Sequence, residues 1–208
     1  MTSMPKLSAL AISIALLAAP SAFAQAVSPI GSAPTVRGSG AYVTQIGAGN
    51  RATVTQRQGS TSTSAGVGQF GSGNVAVVTQ DGDSQFARVI QTGDENQTTV
   101  DQDGDARNAA EVIQIGAGNR AHLNQTAVAA ANAAVVLQTG DRNRVDLSQQ
   151  GSANSAILAQ DGSDNVMSVD QTGDNNALTW SQQGNGLSGS TVVMEGGRSM
   201  TIIQTGGS

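Results

Sequence analysis

Cysteine is absent, so no disulfide staples this chain and no thiolate serves it as nucleophile or ligand. Aromatic residues are 2% of the sequence, and beyond the first two dozen residues only Tyr42, Phe70, Phe86 and Trp180 remain. A conventional core of interlocking bulky side chains is thereby excluded. The one histidine, His122, has no second histidine and no cysteine with which to bind a metal or build a nucleophilic relay, and reads as a solvated surface residue. No acid, base and nucleophile converge, so no enzyme and no cofactor are expected. No stretch approaches the roughly 18 apolar residues of a spanning helix.

Lysine occurs once, at Lys6, ahead of an apolar run from Leu7 to Ala19 that closes with Ala22, Phe23 and Ala24. That shape predicts a signal peptide over residues 1–24, cleaved before Gln25, and an exported, soluble mature chain. The remainder carries nine arginines against fifteen acids, a formal charge of −6, which argues against a grip on nucleic acid. Residues 25–38 hold two prolines and none of the repeat described next, and are expected to be a flexible N-terminal segment.

What the chain does have is a ladder of glutamines. Gln45, Gln56, Gln69, Gln80, Gln91, Gln102, Gln114, Gln125, Gln138, Gln149, Gln160, Gln171, Gln182 and Gln204 follow one another at 11 residues with slips to 12 or 13, and Met194 stands where one more would fall. A fixed period marks a repeat architecture. Six residues before most of them comes an asparagine: Asn50, Asn74, Asn96, Asn108, Asn119, Asn132, Asn143, Asn154, Asn165 and Asn176. Ala and Val or Leu fill the same parity between the amides, as in Asn50, Ala52, Val54, Gln56.

One parity over six or seven residues is one face of a β-strand. The other parity reads Arg51, Thr53, Thr55, or Arg120, His122, Asn124, or Arg144, Asp146, Ser148, a set suited to water. The amide face is therefore expected inside and the outer face polar. Two residues past most ladder glutamines stands a glycine (Gly47, Gly71, Gly82, Gly93, Gly104, Gly116, Gly140, Gly151, Gly162, Gly173 and Gly184), the residue for a tight turn. Each unit is one strand and one turn, and two units make a rung. The spacing predicts an all-β, two-sheet β-solenoid over residues 39–208. Its strand-turn-strand rungs of about 22 residues would form an amyloid-like cross-β stack. A buried amide without partners costs about 1–3 kcal/mol, whereas in register each can donate to one rung and accept from another.

Monomeric solenoids close their ends with atypical repeats. Here the first unit (Ala41, Val43, Gln45) and the last (Met200, Ile202, Gln204) keep the inward pattern, so neither end is expected to be capped. Uncapped ends invite head-to-tail growth into a filament.

The phrase QxGxxNxAxxxQ, present as QIGAGNRATVTQ from Gln45, QFGSGNVAVVTQ from Gln69 and QIGAGNRAHLNQ from Gln114, resembles the repeat of the curlins, the subunits of bacterial curli fibres. The resemblance implies a secreted structural subunit, at the cell surface and outside it, that polymerises with itself and with other curlin subunits. It also implies an outer-membrane export pore, periplasmic chaperones, and adhesion to host or abiotic surfaces within a biofilm matrix. Departures are Val145 and Met167 at the alanine position, Gln85 for an asparagine, and asparagines lost at Ser188 and Arg198. The degenerate end resembles the nucleating curlin, the QIGAGN copies the major subunit. A calcium-binding β-roll needs a nine-residue period, whereas this chain keeps 11; Asp81, Asp83, Asp94, Asp103, Asp105, Asp141, Asp161, Asp164 and Asp174 read instead as solvated turn residues. An ice- or ligand-binding solenoid needs a regular outer array, which Thr53, Val77, Arg88, Thr99, Glu111 and His122 do not make. A monomeric secreted adhesin is the remaining alternative, and capping of the ends discriminates it.

Overall fold

In the computed structural model, residues 39–57 and 62–206 are described, and the expected signal peptide and N-terminal segment lie outside them. Fifteen strands follow one another: β1 (Gly40–Ile46), β2 (Arg51–Gln56), β3 (Ser64–Phe70), β4 (Val75–Gln80), β5 (Phe86–Thr92), β6 (Gln97–Asp103), β7 (Asn108–Ile115), β8 (Arg120–Ala127), β9 (Asn132–Thr139), β10 (Arg144–Gly151), β11 (Ser155–Asp161), β12 (Val166–Thr172), β13 (Ala177–Gly184), β14 (Val192–Glu195) and β15 (Ser199–Gly206). Odd-numbered strands form one sheet in the order β1-β3-β5-β7-β9-β11-β13-β15, even-numbered strands the other. Every pairing is parallel. Successive partners lie 24, 22 or 23 residues apart, as in Gly40↔Ser64, Ser64↔Phe86 and Phe86↔Ala109. This is the two-sheet β-solenoid that the period predicts.

The longer steps fall in turns, where an added residue costs little. They leave one trace inside: the Oδ1 of Asn108 is buried without a partner, in the rung whose register with the next steps by 24, Asn108↔Asn132. The core between the sheets is Ala, Val and Leu, including Ala76, Val78, Val100, Leu123, Val136 and Leu158. It enlarges toward the C-terminal rungs. Val145 and Met167 replace alanine and are fully buried, and Leu178, Trp180 and Met194 join them. Thr98 is a further departure from alanine, buried with its hydroxyl 2.8 Å from Oε1 of Gln114.

Trp180 takes an inward place that holds Val or Leu on other strands, and a bulge in its own strand is one way to make room for it. Its own strand pairs without interruption on both sides, with Leu158 and Ile202. Space comes instead from Gly189, where a Cβ would lie 3.4 Å from the indole. The register slips in that facing segment, from Val166↔Ser188 to Val169↔Val192. The indole N–H donates to Oε1 of Gln204 at 3.0 Å.

The polar outer face holds for one sheet only. Arg51–Thr55, Arg120–Asn124 and Arg144–Ser148 all belong to the even-numbered sheet. On the odd-numbered sheet the outward column runs Thr44, Gly68, Ile90, Ile113, Leu137, Ala159, Ser181, Ile203, flanked by Val135, Ile157, Phe70 and Ile115. Its middle is covered by its own neighbours, Ile90 being 7% exposed, while Ile203 at the end is 73% exposed. The true sequence period is two units, because alternate strands face different surroundings.

Candidate functional site: the amide ladder and its two open edges

In each sheet the glutamines stack directly: Gln45, Gln69, Gln91, Gln114, Gln138, Gln160, Gln182 and Gln204 in one, and Gln56, Gln80, Gln102, Gln125, Gln149 and Gln171 in the other, ending at Met194. Each Nε2 donates to Oε1 of the following rung at 2.6–3.0 Å. From Gln56 to Gln182, the same nitrogen also donates across the gap, to the carbonyl of the first or second residue of the strand before its own. The partner of Gln56 is Gly40, that of Gln69 Arg51 and that of Gln182 Val166. Both amide protons are thus used. One fixes rung on rung and the other sheet against sheet, so a one-residue slip would break both.

The asparagines work at the turns. In the column Asn50, Asn74, Asn96, Asn119, Asn143 and Asn165, each Oδ1 accepts the backbone N–H of the next column member. Each Nδ2 donates to a turn glycine carbonyl one rung on, at 2.7–2.8 Å, ending at Gly184. The final N–H belongs to Leu187. The lost asparagine therefore corresponds to Leu187 and not to Ser188, because the slip past Ser188 displaces the count; Arg198 does occupy such a place, donating its N–H to Oδ1 of Asn176. In the second column, Asn132 and Asn154 reach the carbonyls of Gly151 and Gly173. Gln85 bonds the carbonyl of Gly104 and accepts the N–H of Asn108, so it performs the asparagine's task. All eleven turn glycines have φ between +82° and +133°.

Two features escape a reading by period. Asp94, Asp141 and Asp174, which read from the sequence as solvated turn residues, accept the backbone N–H of Ser72, Ala117 and Ser152 in the preceding rung, at 2.7–2.9 Å. A second left-handed position precedes the asparagine. Glycine fills it at Gly49, Gly73 and Gly118, but Glu95, Arg142 and Asp164 also occupy it at φ +55° to +59°. The recurring glycine just before asparagine was the available signal.

At both ends the ladder is open among the described residues. β1 and β2 each pair on one side only, as do β14 and β15. Inward-facing Val43 and Met200 are 44% and 41% exposed, where interior equivalents such as Val89 and Val112 are at 0%. Gln45 and Gln204 are the terminal amides. Gln45 donates to Gln69 but to no carbonyl of the described residues.

The outer surface carries ion pairs between rungs: Arg57 with Asp81, Arg88 with Glu111, and Arg142 with Asp164. His122 lies half-exposed, 4.0 Å from Asp101. The Arg142 guanidinium hydrogen-bonds both oxygens of Asp164, at 2.8 and 2.7 Å. Those bonds, then its charge, hold the Asp164 carboxyl below the ordinary carboxylate range; the bonds and charge of Asp164 in turn raise Arg142. A depressed carboxyl favours the folded state above its unfolded value and loses that contribution as pH falls through its folded value. In Arg142→Gln, Asp164 is expected to titrate at its ordinary value, read from its side-chain carboxyl NMR shift. The stability of the fold should change little, because exposed pairs contribute weakly.

The family described as Curlin associated repeat matches residues 74–104, 93–126 and 140–173. The gap at 127–139 holds one of the two turns across which the register steps by 24, and the same ladder continues in the structure on both sides of the matched segments. No curated protein and no solved structure matches the chain.

Proposed function

Since three segments of the chain match the curlin repeat, we propose that it is a secreted structural subunit that assembles end to end into extracellular, curli-type amyloid fibres. The observation that carries this reading is the pair of open edges. The ladder runs to both with its inward residues exposed. An unpaired, flat, uncharged strand edge templates the addition of another chain. At about 0.5–1.5 kcal/mol net per hydrogen bond, a junction of half a dozen backbone and amide bonds is firm. The inward amides from Gln45 to Gln204 are then assembly residues, each rung presenting to the next the surface it received. Adhesion and a place in a biofilm matrix follow from the same reading, as do export through an outer-membrane pore with periplasmic chaperones.

A nucleating role is favoured by the C-terminal edge, where Met194, Leu187 and Arg198 replace amides. The test is thioflavin T fluorescence on denaturant-unfolded chain 25–208, freshly desalted, with and without sonicated seeds of its own product. A lag abolished by seeds is expected. A flat trace with a folded monomer by light scattering would sink the proposal in favour of the monomeric adhesin.

A further inference from the structure

Among the described residues an odd number of strands leaves the solenoid half a rung out of balance: eight in one sheet, seven in the other, with β1 and β15 both in the larger. A second copy can meet the β14/β15 end in two ways. Translated without rotation, its β1 continues the larger sheet on β15, but its β2 stands two strand spacings beyond β14. A slot one strand wide then opens in the smaller sheet at every junction. It leaves the outer edge of β14 unpaired. Turned by half a revolution about the stacking axis, the incoming copy seats β1 on β14 and β2 on β15. Strands on the two sides of a rung run in opposite directions, so the half-turn exchanges the sheets without disturbing parallel pairing.

We propose that successive copies are related by this half-turn, an inference that rests on the end-to-end assembly proposed above. The amide bonds discriminate the two arrangements. Each glutamine from Gln56 to Gln182 sends one N–H to the carbonyl of the first or second residue of the strand before its own, in the facing sheet. For Gln45 no such strand exists among the described residues. After the half-turn, β15 of the neighbouring copy is that strand, and the carbonyl of its Ser199 lies where Gly40 lies for Gln56. After translation the same place is the empty slot. The half-turn also brings Gln204, whose Nε2 has no following rung, over Gln56 of the next copy, whose Oε1 accepts from no described residue. Its imperfect contacts are Met194, which stands under Gln45 of the next copy and has no N–H to give it, and Arg198, which stands under Asn50 of the next copy and has no side-chain oxygen to accept its N–H.

The arrangement has a consequence for the fibre's sides. The apolar outer face of the larger sheet would alternate from one side to the other, copy by copy, so no continuous apolar stripe would run along the filament to drive lateral fusion.

The chain has no cysteine of its own, which makes paired cysteines a clean probe. Thr201 in β15, Thr53 in β2 and Tyr42 in β1 all face outward. In register, Thr201 meets Thr53 of the next copy after a half-turn, and Tyr42 of the next copy after translation. Fibres grown reduced and then oxidised should give covalent oligomers on a non-reducing gel for T201C with T53C, and monomer for T201C with Y42C. The reverse pattern, equal cross-linking in both, or none in either would overturn the inference. Electron cryomicroscopy of unsubstituted fibres gives a second reading. A rotation near half a revolution with a rise of about 36 Å per copy, fifteen strands at the usual spacing in two sheets, is expected, and a rotation near zero would overturn it. A chain that forms no fibres at all would instead overturn the assembly reading, and the stacking with it.

Discussion

Gly140→Ala is expected to abolish seeded fibre growth under conditions where Gly66→Ala leaves it unchanged or slightly improved. A Cβ on Gly140 would sit 2.0 Å from the carbonyl oxygen of Gly162, at a φ of +99°. The overlap is with backbone, and the backbone cannot retreat. Gly140 N–H bonds the carbonyl of Ile115, Gly162 N–H that of Thr139, and the Gly140 carbonyl accepts Nδ2 of Asn119 at 2.7 Å. The left-handed region alone costs an L-residue roughly 1–2 kcal/mol; with the clash, the loss should reach the exceptional range of about 4 kcal/mol or more. The chain shows what accommodation requires. Ala127 stands in a glycine column and is not at positive φ, and the turn that follows it is longer. Gly66, in mid-strand, has nothing within 4 Å of its would-be Cβ, so alanine there should add about 0.4–1 kcal/mol by restricting the unfolded chain. Seeded thioflavin T growth and guanidinium dissolution midpoints of the two variants make the comparison. Equal behaviour would mean that the turns are not stacked as described.

How much of this was open to the sequence depends on which forces repeat at every unit. The inward amides, Ala76 or Leu123 between them and the turn glycines recur at each strand, since every rung meets the same neighbour above and below. They were legible. The outer faces were not, because β5 with Phe86 and Ile90 and β8 with Arg120 and Asn124 lie on opposite sides of the stack, and an eleven-residue period averages them. The roles of Asp94, Asp141 and Asp174 were hidden for another reason. A turn aspartate that bonds the rung before it has the same sequence signature as one in water, and only the superposition of Ser72 on Asp94 distinguishes them. The place of Leu187 was lost to a one-residue slip that pattern counting cannot locate.

Gln138→Met in the middle of the larger sheet should cost more than any outward substitution, although methionine fits the same volume. Gln138 is at 0% exposure. It accepts Nε2 of Gln114 at 2.8 Å and donates to Oε1 of Gln160 at 2.9 Å and to the carbonyl of Arg120 at 3.0 Å. Removing it leaves Oε1 of Gln160 and the carbonyl of Arg120 short of a donor in a fully buried site, at about 1–3 kcal/mol for each orphaned group. Gln114 keeps its bond to the carbonyl of Gln97, which limits the damage on that side. Dissolution of preformed fibres by guanidinium should therefore shift to clearly lower concentration; an unchanged midpoint would mean that the amides fix register without contributing stability. Met194 supplies the contrast. It already ends its column, accepting Nε2 of Gln171 through sulfur at 3.6 Å, and no rung of its own chain lies above it. Met194→Gln should leave the chain's own ladder little changed. Under the half-turn it gives Gln45 of the next copy the donor that the thioether lacks, so its effect should appear as faster seeded elongation rather than as greater stability of the isolated subunit.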